Sequence, residues 1–239
     1  MGIHETLDDL EKFDTPSISN VVATYPDDPL CLGLYNPWRE NWYTDTTIHS
    51  LYPELGPKAG VAVTCVYGMP DPAFDELSFP DVVDAIDDQE PPVILTLEQD
   101  YPSHLETSVG LPGGLMTAAM KSMGAIGCVT DGPARDVEEI RSMEFQYLAT
   151  GLSPGHGDLS VQAVNVPVSI GGMDVAPGEI IHMDANGAVK FPADRADDVL
   201  ENVRKLIDRE ETAQERLEQA DTPADVRRAF PGEEYDGDS

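Results

Sequence analysis

Four apolar runs, GVAVTCVY at 60–67, PVILTL at 92–97, AIGCVT at 125–130 and FQYLA at 145–149, alternate with stretches of helical spacing. Small and β-branched residues in runs of this length form buried strands. The intervening segments 79–86, 115–123 and 135–143 read as helices. Strand–helix–strand alternation requires parallel crossovers, so the chain is predicted to be an α/β protein.

On the N-terminal side, Thr6–Phe13 and Ser17–Thr24 read as short helices. Asp14-Thr15-Pro16 opens the second with a capping side chain and a proline whose fixed φ suits a first turn. Residues 25–57 hold both tryptophans and many prolines without a clean period, and are expected to form an irregular excursion over the surface or a subunit contact. Beyond Gly151 the pattern changes. Val161–Ile170, Glu179–Asp184 and Ala188–Phe191 read as strands, separated by Ala176-Pro177-Gly178 and Asn186-Gly187 turns. Val199, Val203, Leu206 and Ile207 mark a long polar helix over 196–220, and 221–239 reads as an acidic tail that frays. One domain over residues 1–220 accommodates all of this.

Charge removes whole classes of function. With 45 acidic and 14 basic residues the formal charge is −31, which repels nucleic-acid phosphates and anionic membrane surfaces. The acidic residues are spread along the chain rather than confined to the tail, as in a halophilic protein whose self-repulsion is quenched by salt. Cys31, Cys65 and Cys128 lack paired spacing and read as reduced residues. The five histidines lack zinc-type spacing. The absence of a leader pattern and of an apolar run near the ~20 residues that span a bilayer predicts a cytoplasmic location.

Chemistry concentrates in Gly113-Gly114-Leu115-Met116 and in the run 127–136, GCVTDGPARD. Each is a Gly-rich turn that opens a helix, where unpaired amides and a positive dipole end attract a carboxylate. An arginine fork such as that of Arg135 grips a carboxylate, and an aspartate such as Asp136 can anchor Mg²⁺. An Arg–Asp pair at a helix start also serves as a cap or ion pair, and the residues alone leave both uses open. Asp131 reads as fixing the turn. No Gly-rich turn followed about 20 residues later by a ribose-binding acid appears in the first third of the chain.

GAIGCVTDGPARDVEEI and the later VNVPVSIGGMDVAPGEIIHMDANGAVKFP resemble the family of the regulator of ribonuclease activity A (RraA), which includes 4-hydroxy-4-methyl-2-oxoglutarate aldolases. GPKAGVAVTCVYG and DTPSISNVV are similar in kind. The resemblance covers roughly residues 10–210 and implies an α/β/β sandwich of swivelling-domain type with a long C-terminal helix, assembled as homotrimers or hexamers with sites between subunits. It implies a lyase that uses Mg²⁺ or Mn²⁺ on small 2-oxo acids, cleaving 4-hydroxy-4-methyl-2-oxoglutarate or decarboxylating oxaloacetate. Gly113, Gly114, Leu115, Met116 and Arg135 would bind the pyruvyl carboxylate and Asp136 the metal. The aldolase motif, however, has an acidic residue at the position of Gly114, for which Asp100, Glu106 or a neighbouring subunit would have to substitute. The alternative within the family is a non-catalytic regulator that binds a protein partner such as a ribonuclease.

Overall fold

The computed structural model describes residues 2–74, 76–90 and 92–229. Its strands are β1 (His49–Ser50), β2 (Lys58–Gly68), β3 (Val93–Asp100), β4 (Ala125–Thr130), β5 (Gln146–Ala149), β6 (Ser160–Val164), β7 (Val168–Ile170), β8 (Met173–Val175), β9 (Ile180–Asp184) and β10 (Gly187–Phe191). Its helices are α1 (Ile3–Leu10), α2 (Thr15–Ser19), α3 (Phe79–Asp87), α4 (Gly114–Ser122), α5 (Val137–Ser142), α6 (Ala196–Glu218) and α7 (Pro223–Ala229). The main sheet runs β1-β5-β4-β3-β2-β9-β10. β2 to β5 are parallel neighbours joined through α3, α4 and α5. This is the α/β architecture the alternation predicts.

Strand alternation sorts the core into layers. On β3, Val93, Leu95 and Leu97 face the cluster under α3, α4 and α5, whereas Ile94 faces the β7–β8 hairpin. On the long β2, Ala59 and Val61 join the N-terminal helices and α6, while Val63, Cys65 and Tyr67 join the crossover-helix layer. The far edge of β2 is shared, with β9 pairing at Lys58–Val61 and β6 at Cys65–Gly68.

Several expectations change in detail. The strand expected over Val161–Ile170 is two, β6 and β7, because Asn165 takes a left-handed φ of 53° and Pro167 lacks an amide to continue the ladder. β8 was not anticipated. After Ser19 the second helix widens into a π-helical turn over Asn20–Thr24. The excursion 25–57 is mostly irregular, yet Trp42 is 2% exposed and stacks on Tyr35 at 6.0 Å. Lys190 holds Tyr35 in place from across the sheet, lying 5.1 Å over its ring and 3.0 Å from both Glu179 oxygens. Within the tail expected from residue 221, Pro223–Ala229 are helical, and 230–239 lie outside the described residues. No helix among the described residues is long and apolar enough to cross a membrane.

A buried polar group locks α2 to β9. Asp14 Oδ1 caps α2 by accepting from Ser17 N at 2.7 Å, and Thr15 N donates to Asp184 Oδ2 at 2.8 Å. His182 Nε2 lies 3.2 Å from the Leu10 carbonyl oxygen, which can only accept, so Nε2 carries the proton and Nδ1 accepts from Thr15 Oγ1 at 2.9 Å. Burial pushes His182 down to about 4. Its stabilising contribution is therefore full above the ordinary 6.5 and is lost as pH falls toward 4, because the unfolded chain takes up a proton that the folded chain refuses. The stability gap between wild type and His182→Gln is expected to narrow by about 2 kcal/mol between pH 6.5 and 5 in denaturant titrations. A gap independent of pH would refute this. The difference is the proper readout because buried Asp131, pushed up to about 7, titrates with the opposite sign.

Basic side chains are committed to ion pairs: Lys58 with Glu11, Arg204 with Asp9, Arg209 with Asp28. The large acidic excess has no such partners to share. Raising KCl from about 0.1 M to about 2 M shortens the screening length from about 10 Å to 3 Å or less. The melting temperature is expected to rise by about 10 °C, roughly 3 kcal/mol for a chain of this size. An unchanged melting temperature would contradict the salt-adapted reading.

Candidate functional site

Two Gly-rich turns meet at the carboxyl ends of the parallel strands, where α/β sheets bind ligands. After β3 the chain reaches Gly113 and Gly114 at the start of α4. The first ladder bond of α4 runs from Thr117 N to Gly113 O at 2.9 Å, so the amides of Leu115 and Met116 precede the ladder. After β4, Asp131-Gly132-Pro133-Ala134 turns the chain into Arg135 and Asp136. Asp131 Oδ1 accepts from Gln99 N at 2.8 Å and ties this turn to β3, the role expected of it.

Asp136 caps α5 in a left-handed conformation, φ 57°, which aspartate tolerates better than most side chains. The cap geometry aims its carboxylate at the other turn, where Oδ2 accepts from Gly114 N at 2.9 Å. This amide bond first, and then the Arg135 guanidinium, hold Asp136 below the usual carboxylate range. Arg135 Nε lies 3.3 Å from Asp136 Oδ2 as an ion pair, but the angle is not that of a hydrogen bond, and Nε is buried without one. A buried, unsatisfied guanidinium donor favours a ligand that can accept from it.

The glycines are there because side chains would collide. A Cβ on Gly113 would stand 2.6 Å from Asp136 Oδ2. A Cβ on Gly114 would stand 2.3 Å from the carboxyl carbon of Glu139, which reaches over from α5. Glu139, and not Asp100 or Glu106, is thus the acidic group placed where a side chain at 114 would begin. Sequence reasoning passed over it, although its place was readable: Glu139 lies three residues after Asp136, in the first turn of α5.

Site residues from the two turns are therefore brought together. Gly113 lies against Asp136 and Arg135, Gly114 N bonds Asp136, Met116 packs from α4 onto the core, and Leu115 is 85% exposed on the rim. Cys65 and Cys128 are buried and free, with burial pushing the Cys65 thiol up to about 12, and Cys31 is free and half-buried.

Residues 36–190 match the family model described as "RraA-like: Aldolase/RraA". An uncharacterized protein of Methanocaldococcus jannaschii is 35% identical over 106 residues, 44% of this chain and 51% of that protein. A protein of Halalkalibacterium halodurans, provisionally named as a 4-hydroxy-4-methyl-2-oxoglutarate aldolase, is 28% identical over 96 residues, 40% of this chain and 46% of that protein. The chain thus spans about half the length of these two relatives. Among solved structures, Streptomyces coelicolor RraAS2, described as an unusual member of the RNase ES inhibitor RraA family, superposes with a TM-score of 0.66 at 21% identity, covering 88% of this chain and 96% of that one. That likeness concerns the fold. With the family model matching well over half of its length, the chain belongs to the RraA-like family.

Proposed function

We propose that this protein is a divalent-metal-dependent lyase of small 2-oxo acids, formed by one domain over residues 1–220. The observation that supports it is the convergence of Asp136, Glu139 and Arg135 on the Gly113–Gly114 turn. Two neighbouring carboxylates, one of them held ionised, are an oxygen donor set that suits Mg²⁺ or Mn²⁺, ions that take one or two protein carboxylates and keep several waters. Asp136 and Glu139 would hold the cation. When bound, it supplies a Lewis acid beside the 2-oxo group.

The remaining work falls to the chain. Arg135 offers its fork to the substrate carboxylate, and the amides of Leu115 and Met116 add donors at the positive end of α4. Together they hold the carboxylate of oxaloacetate while its far carboxyl group leaves as carbon dioxide. That reaction needs no base to remove a hydroxyl proton. The exposed Leu115 and Leu152 beside the turns favour a homotrimer or hexamer in which a neighbouring copy covers the rim. In this reading the enzyme works in a cytoplasm of high salt.

The test is pyruvate release from oxaloacetate by the purified chain in about 2 M KCl, with and without Mn²⁺. Release well above the rate with Mn²⁺ alone is the expected result. No release from a demonstrably folded protein would reject the lyase and favour a regulator whose acidic surface binds a basic partner.

A further inference from the structure

Neither helix that opens at the site has a side-chain cap of its own. Gly113 has no side chain to give α4, and Asp136 gives α5 none, its carboxylate being taken by Gly114 N. What sets the two helix starts against each other comes from the edge of the sheet. Tyr147, on β5, is fully buried, and its hydroxyl donates to Leu111 O at 2.6 Å. Leu111 N donates to Pro133 O at 3.1 Å, so the residue two before Gly113 is held from β5 on one side and from the turn after β4 on the other. Residues 109–114 are buried whereas most of 102–108 is exposed, and the Tyr147 bond falls on the buried part that leads into α4. Tyr52, also fully buried, donates its hydroxyl at 2.7 Å to the carbonyl of Val137, the first residue of α5 and the one after Asp136.

The two tyrosines are the ends of one brace. β1 pairs with β5 at His49–Ala149 and Ser50–Leu148, Leu51 N donates to Tyr147 O at 2.8 Å, and Gln146 Nε2 donates to Tyr52 O at 3.2 Å. Burial pushes the Tyr52 hydroxyl up to about 12 and raises that of Tyr147 as well, so both keep the proton they donate. A carbonyl taken out of water that loses its donor is costly, and the segment carrying it shifts to find another. Such shifts matter here because the two turns meet directly, with Gly114 N 2.9 Å from Asp136 Oδ2. A misplacement of about 1 Å in a site of this kind can cost about a hundredfold in rate.

We propose that Tyr147 and Tyr52 are positioning residues of this site, Tyr147 setting the carboxylate cradle at the start of α4 and Tyr52 setting Asp136 and Glu139 at the start of α5. The inference rests on the lyase reading. Neither hydroxyl touches substrate or cation, and each acts through the carbonyl it holds. The two halves of the site are thus tuned separately from one strand pair, β1 and β5, that contributes no residue to the chemistry.

The experiment removes one hydroxyl at a time and reads substrate and cation separately. Tyr147→Phe is expected to raise the KM for oxaloacetate about tenfold while Mn²⁺ affinity, by calorimetric titration, stays within about twofold of wild type. Tyr52→Phe is expected to weaken Mn²⁺ binding about tenfold and to leave KM at saturating Mn²⁺ within about threefold. Phenylalanine keeps each ring in the core, and the melting temperature reports the fold. A purely stabilising role would lower the melting temperatures and leave both affinities in place, and that result overturns the proposal. Equal losses of both affinities in either variant, or loss of the fold, overturn it too. If the wild type binds Mn²⁺ and releases pyruvate but the variants show no such split, this inference alone fails. A wild type that does neither overturns the lyase reading and this inference with it.

Discussion

Asp136→Asn is expected to lower metal-dependent release of pyruvate from oxaloacetate by about a thousandfold, and Arg135→Ala by about a hundredfold, with the fold intact. Asparagine is the informative replacement because residue 136 sits at φ 57° as the cap of α5. Asparagine tolerates that conformation, whereas alanine would add backbone strain to the loss of charge. What disappears is the ionised oxygen that accepts from Gly114 N and would hold the cation. Arg135→Lys separates charge from shape: a lysine keeps the cation but cannot offer two parallel donors, so KM should rise about tenfold with a smaller change in kcat. The measurement is initial rate against Mn²⁺ and substrate concentration, with melting temperature as the fold control. An Asp136→Asn protein that kept more than a tenth of the rate would remove Asp136 from the metal.

Much of the architecture was readable because local pattern and tertiary role agree. AIGCVT is a strand in the sequence and the same six residues are β4 in the structure, since a short apolar run between turn signals has one use in a parallel sheet. Agreement fails where long-range contacts decide. Nothing local shows that Trp42 is buried, because the Tyr35 ring on which it stacks is held by Glu179 and Lys190 from a distant part of the chain. The break between β6 and β7 was signalled by Asn165 and Pro167, but the valines on both sides of them suggested one continuous strand. At the site, the Arg135–Asp136 pair and the two glycines stood out as residue types. Their contact, Asp136 to Gly114, joins two loops 22 residues apart and is a property of the sheet.

Glu139 takes that distinction further, because a motif written as positions along the chain is blind to a carboxylate delivered from a different helix. If Glu139 stands in for an acid at 114, moving the acid back should restore function. Glu139→Ala is expected to weaken Mn²⁺ binding and slow oxaloacetate decarboxylation by about 30-fold, in the range seen when a supporting carboxylate is removed from a metal site. Gly114→Asp alone should stay within about threefold of wild type. Residue 114 has no left-handed φ that would bar a side chain, and the atoms nearest its new Cβ are the flexible end of Glu139, which can swing aside. The double variant Gly114→Asp/Glu139→Ala vacates that space and fills it from α4, and should recover to within about fivefold of wild type. Recovery of this kind is non-additive, as expected only of residues that share one site. Calorimetric Mn²⁺ titration of the four proteins reads binding without relying on turnover. A double variant no better than Glu139→Ala would show that the two positions are not interchangeable and that Glu139 serves α5 rather than the cation.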